Sequence, residues 1–161
     1  MKQNILKFTF VFLLFLTYCV QEAKAESIVY FFLDFRFFNK EYTFNVNGEK
    51  GFTLSTSRSM YESKEDGTCL WNMMARKIIF KESGSYVVDV DCPNVMRHCV
   101  YHASINLNLE DGETYYVLIN AGLTKTFYME LLNDNKGKKM LNKARTSKKY
   151  TFNEDYIYTG N

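Results

Sequence analysis

An antiparallel β-sandwich of seven or eight short strands is the fold the sequence predicts, and three observations predict it. Apolar and aromatic residues alternate with polar ones at a period of two, most clearly over 101–109, the pattern of a strand with one buried and one wet face. Turn signals separate such segments at short intervals: Asn47-Gly48, Glu82-Ser83-Gly84, Glu110-Asp111-Gly112 and Ala121-Gly122. The chain also holds 12 Tyr and 14 Phe against a single proline, Pro93, a composition that suits pleated, half-buried surfaces.

The N-terminal segment belongs to no strand. Lys2 and Lys7 flank its start, Phe8 to Leu16 is interrupted only by Thr9, and Ala23-Lys24-Ala25 follows. A basic start, a short apolar stretch and an A-x-A exit make a secretory signal peptide. The apolar run is shorter than the roughly 20 residues a spanning helix needs. The expectation is therefore export, cleavage after Ala25 and one mature domain over 26–161, which is 136 of the 161 residues and enough for a single core. Removing Lys2, Lys7, Lys24 and Glu22 takes the 20 basic and 18 acidic residues to 17 of each. The mature domain is then neutral and lacks the basic stripe of a nucleic-acid binder. No Asn-x-Ser/Thr acceptor occurs, which fits a bacterial envelope protein better than a glycosylated eukaryotic one.

Ser27 to Phe35 is almost wholly apolar or aromatic and reads as a central strand buried on both faces. Tyr42, Phe44 and Val46 alternate with Thr43 and Asn45, Asn47-Gly48 supplies the positive-φ pair of a tight hairpin, and Gly51 to Ser55 is the return strand. Residues 58–75 read as a loop insertion, in which Cys69 to Ala75 is either a helical turn or an extended bulge. Lys77 to Phe80 is a short strand. Tyr86, Val88 and Val90 mark the next, Cys92 to Cys99 a loop, and Tyr101 to Leu109 the cleanest strand, with His102, Ser104, Asn106 and Asn108 on its wet face. Thr114 to Asn120 and Lys125 to Leu132 are further strands. Asn135 to Ala144 is the one short helix, and the tail over 145–161 ends in an edge strand or a packed segment, Lys149 to Tyr158.

Leu109-Glu110-Asp111-Gly112-Glu113-Thr114-Tyr115-Tyr116-Val117 resembles the L-x-x-G-x-T-Y-Y-V strand of an uncharacterised family of exported bacterial β-sandwich proteins, many of them lipoproteins, known as domain of unknown function 2846. Val29-Tyr30-Phe31-Phe32, the Asn47-Gly48 hairpin, the Gly84 turn and Phe127 to Leu132 before a short helix fall in the same order, so the resemblance covers Ser27 to Ala144. It implies an immunoglobulin-like or prealbumin-like sandwich with an envelope-associated role. It carries no catalytic residue onto this chain. The 58–75 insertion and the cysteines depart from the family pattern.

Six candidate sites stand out. In an oxidising compartment two of Cys69, Cys92 and Cys99 should pair. Cys92 with Cys99 would close an eight-residue ring and stabilise by about 2.5 kcal/mol in the chain-entropy model; Cys69 with either is the rival pairing. Cys19 sits in a lipobox-like Leu16-Thr17-Tyr18-Cys19, but Tyr18 is too large for the processing site, so no lipid anchor is expected there. Cys92, His98, Cys99 and His102 hold soft ligands for zinc or copper, yet C-x5-H-C-x2-H is no common metal spacing. Asp89 and Asp91 flank Val90 near a strand end, a spacing that marks a solvated edge more often than acid–base chemistry. Trp71, Met73 and Met74 make an apolar patch fit for a partner if 58–75 is exposed, and plug one end of the sandwich if it is not. The basic run Lys136, Lys138, Lys139, Lys143, Arg145, Lys148 and Lys149 reads as a solvated terminal face, with a weak anionic contact as its alternative.

No G-x-S-x-G elbow and no protease-like cysteine context occurs. The sequence thus leads to a non-enzymatic exported module, periplasmic or extracellular, that binds a protein or envelope component and needs no cofactor. A metal- or thiol-linked periplasmic protein using the 92–102 segment and an interaction factor using Trp71 are its alternatives.

Overall fold

The computed structural model describes residues 25–33, 41–55, 73–94, 99–121 and 127–160. Nine strands and one helix follow in order: β1 (Ser27–Leu33), β2 (Glu41–Val46), β3 (Glu49–Ser55), β4 (Met73–Phe80), β5 (Gly84–Asn94), β6 (Cys99–Leu109), β7 (Thr114–Ala121), β8 (Phe127–Leu131), α1 (Asp134–Thr146) and β9 (Tyr150–Tyr158). They form a five-stranded sheet, β8-β7-β1-β4-β9, packed on a four-stranded sheet, β3-β2-β5-β6. The β-sandwich expected from the alternation is the observed fold.

Two pairings depart from a purely antiparallel plan. β1 runs parallel to β7 and β4 runs parallel to β9, while the other five pairings are antiparallel. The parallel β4–β9 pair has a physical cause in the connection before it. The chain leaves the β8 edge, crosses the outer face of the five-stranded sheet as α1 and enters the opposite edge as β9; β8 and β9 therefore point the same way, as strands joined by a crossover helix do. The C-terminal tail is thus a full edge strand, which brings the count to nine.

The main core lies between the sheets. Val29, Phe31 and Leu33 of β1 meet Tyr42, Phe44 and Val46 of β2, Phe52 and Leu54 of β3 and Val88 and Val90 of β5. The Phe44 and Phe52 rings stack at 4.6 Å, and Phe31 lies against both, at 5.8 and 4.9 Å. A second core sits on the outer face of the five-stranded sheet. There Tyr30, Phe32, Ala75, Tyr116 and Tyr150 pack with Ala144, Met140 and Leu141 of α1. This layer is why β1 is buried on both faces, as its unbroken apolar run predicts.

Local chemistry sets the details. Asn47 (φ 52°) and Gly48 (φ 81°) take the positive-φ pair of the β2–β3 hairpin. Asn133 caps α1, its side chain accepting from the Lys136 N–H at 3.0 Å. Asn153 of β9 joins the two sheets: its Oδ1 accepts from the Ser55 N–H at 2.7 Å and its Nδ2 donates to the Ser55 carbonyl at 2.6 Å. Two edge strands that would otherwise offer open backbone are closed onto each other in this way. Among the described residues no helix is long and apolar enough to cross a membrane.

Two local expectations are corrected. Met73 to Ala75 are extended residues of β4, not a helical turn or bulge, because Leu33 and Phe32 pair with Met74 and Ala75. The segment from Cys92 is not all loop, since β5 continues to Asn94 and β6 begins at Cys99. Pro93 is tolerated inside β5 because β2 pairs with β5 only as far as Asp91, so its missing N–H is owed to no neighbour there.

Candidate functional site

The Cys92–Cys99 bridge is not formed: Cys92 is a buried thiol. Register explains it. Cys92 pairs with Tyr101 and Cys99 with Asn94, so the two cysteines are diagonal rather than opposed. Diagonal residues stand about 7–8 Å apart, beyond ordinary disulfide reach. Cys92 instead packs in the main core, where it shares a hydrogen bond with the Tyr42 hydroxyl. Burial first, then Cys92, raises the Tyr42 phenol far above its ordinary value. Peptide mapping after alkylation of the unfolded, unreduced protein is expected to find Cys92 alkylated; a Cys92–Cys99 linked peptide would contradict the register.

The same register parts two of the four candidate ligands of the 92–102 segment. Cys92 faces the core, whereas His102 stands on the outer face of the four-stranded sheet, with an exposed side chain. Cys19, Cys69 and His98 lie outside the described residues, as do residues 1–24, where the signal peptide is expected, and Trp71. Among the described residues no three His, Cys, Asp or Glu side chains are placed to share a metal ion.

The structure does bring together residues that the sequence kept separate. His102 Nδ1 lies 2.9 Å from Asp91 Oδ1, and its Nε2 lies 3.6 Å from Asp89 Oδ1. β5 and β6 set Asp91 opposite His102 and Asp89 opposite Ser104. A catalytic histidine needs one nitrogen on the orienting carboxylate and the other on the nucleophile. Here both nitrogens face carboxylates, on an open strand surface. The arrangement is a cross-strand polar cluster, worth little to stability at such exposure.

Two members of the apolar patch, Met73 and Met74, lie among the described residues and are packed inward. Met74 is fully buried in the main core, and Met73 is half-buried against the second, because alternate residues of β4 serve the two layers.

The basic run resolves into distinct roles. Lys138 pairs with Asp134 at 2.7 Å along the helix. Arg145 lies over the Tyr30 ring, 5.9 Å from its centroid, and its Nη2 donates to the Tyr30 hydroxyl at 3.4 Å. Lys143 lies over the Tyr150 ring at 5.6 Å. Lys136, Lys139 and Lys143, with Met140 between them, line an open groove of about 360 Å³ whose other walls are Leu118 of β7, Glu130 of β8 and Leu132. Positions 136, 139, 140 and 143 follow the i, i+3, i+4, i+7 spacing of one helix face. Leu118 and Glu130 are register partners on β7 and β8. The Leu132 N–H donates to the Tyr116 carbonyl at 2.8 Å, which carries the wall one residue beyond β8.

Gly137 lets α1 sit low on Tyr116. An added Cβ there would lie 2.1 Å from Tyr116 Cγ. Tyr116 is covered by the helix, and burial, then the Asp134 carboxylate, raises its phenol. The groove was missed in the sequence because its walls come from three elements. Its one local signal is the lysine–methionine spacing behind the Asn133 cap. No family model matches the chain, and no curated protein or solved structure matches it.

Proposed function

We propose that the protein is an exported, non-enzymatic β-sandwich that serves as a binding module of a cell envelope or secreted milieu, with the groove beneath α1 as its site. One observation carries this reading. α1 covers the outer face of the five-stranded sheet yet leaves Leu118, Leu132 and Met140 as the floor of an open, lysine-lined groove. Its volume of about 360 Å³ lies at the lower end of small-ligand sites, which run from roughly 300 to 1,000 Å³. The His102 cluster supports a non-enzymatic role, since neither ring nitrogen faces a nucleophile. Export rests on the N-terminal segment, and the resemblance to exported bacterial sandwich proteins belongs to the same reading.

Two measurements test it. N-terminal sequencing of the secreted product is expected to start at Glu26, and a retained Met1 or a lipid-modified Cys19 would contradict soluble export. Protein re-isolated from an extract of its own cell envelope is expected to carry a bound molecule that slows amide exchange in α1 and β8. Turnover of ester, peptide, glycoside or phosphate substrates that His102→Ala abolishes would defeat the binding-module reading.

A further inference from the structure

We infer that the groove takes a single-chain anionic amphiphile, a fatty-acid carboxylate, with its head on Lys136 and Lys139 and its chain on Leu118, Leu132 and Met140. This rests on the groove being the binding site and names the chemistry it selects. The inference joins two properties of one place. Its floor is apolar, and three of the four remaining described lining residues are cationic: Lys136 and Lys139 rise on the helix side a turn apart, with Lys143 a further turn on, against one carboxylate, Glu130, on the strand side. Lysines present an apolar stem to the floor and an ammonium to water, so a chain lying in the groove would run under the stems and leave its head at the ammonium groups. A neutral ligand would leave that charge unused, and a cationic one would be repelled by it. A polar anion without a chain would leave the floor wet. The groove is an open trough beside the helix, so it suits one chain lying along α1 better than a compact polycyclic ligand.

Glu130 gives the inference a directional test. Among the described residues it is the one acidic wall residue, so its carboxylate opposes the bound head group, and Glu130→Gln should tighten the complex where removing the lysines loosens it.

Calorimetric titration of the purified protein with dodecanoate below its micelle concentration is expected to saturate at one site. Dodecyltrimethylammonium, which has the same chain and the opposite charge, and acetate, which has the head without the chain, are expected not to bind. Lys136→Gln with Lys139→Gln should weaken dodecanoate by about tenfold, as two exposed charge pairs of a few-fold each, with a reduced salt dependence. Glu130→Gln should strengthen it by a few-fold. Both sets of substitutions are on exposed side chains and leave the packing of α1 intact, which thermal unfolding checks. Equal binding of both amphiphiles, or dodecanoate binding unmoved by the lysine and glutamate changes, overturns the inference. Silence toward monomeric dodecanoate with adsorption to anionic phospholipid vesicles also overturns it, in favour of a membrane surface. If dodecanoate fails while the envelope extract still protects α1, the ligand class is wrong and the binding site stands. If both fail, the binding site falls with it.

Discussion

Phe32→Ala is expected to destabilise the protein as severely as Phe31→Ala, each by about 3–5 kcal/mol in chemical denaturation. The two residues are neighbours on β1 and point to opposite faces of the sheet. In a sandwich whose sheets each have one wet face, one of them would be cheap to truncate. Here Phe31 is fully buried against Phe44 and Phe52 between the sheets, and Phe32 is fully buried under α1 beside Tyr30, at 6.4 Å between rings. Either loss is a large part of the roughly 5–15 kcal/mol that holds a domain together. A cost below about 1 kcal/mol for Phe32→Ala would show that α1 does not seal the outer face.

Gly137→Ala carries the second large effect. On an exposed helix the substitution would stabilise by up to about 1 kcal/mol. At this position the new methyl would meet Tyr116 Cγ at 2.1 Å and Cδ2 at 2.2 Å, well inside contact distance and against the ring's near end rather than a movable tip. Overpacking of this kind costs about 1–3 kcal/mol, so a net loss of about 2 kcal/mol is expected, with α1 lifted from the sheet. A double-mutant cycle with Tyr116→Ala should show a coupling of at least about 1 kcal/mol in the relieving direction. Stabilisation by the single substitution would mean that the helix stands off the sheet, and the groove would then lack its floor.

Much of the sandwich was legible in the chain. The alternation of Tyr101 to Leu109 against His102 to Asn108 translated directly into buried and exposed faces of β6. Asn47-Gly48 gave the hairpin, because few other pairs take positive φ twice. The unbroken apolar run of β1 foretold burial on both faces. Which strands become neighbours was not legible, because a period of two records which face a residue serves and not what lies beside its strand. The parallel β1–β7 and β4–β9 pairings are therefore properties of the whole chain. The diagonal placement of Cys92 and Cys99 is not legible for a related reason: Pro93 carries the local signal of a turn, and nothing local records the register with which β5 runs through it. Trp71 remains an expectation outside the described residues. The lysines of α1 looked like a solvated terminus because a cationic helix face and a ligand-binding wall have the same composition. Only Leu118 and Leu132, brought beneath them by β7 and β8, tell the two apart.

The groove beneath α1 as the binding site is most directly tested by methyl NMR during a dodecanoate titration. The Met140, Leu118 and Leu132 methyl signals are expected to shift together and saturate, while Val87 and Val100, exposed on β5 and β6 of the other sheet, stay in place. Shifts centred on Val87 and Val100, or a saturating titration that leaves Met140, Leu118 and Leu132 unmoved, would contradict it.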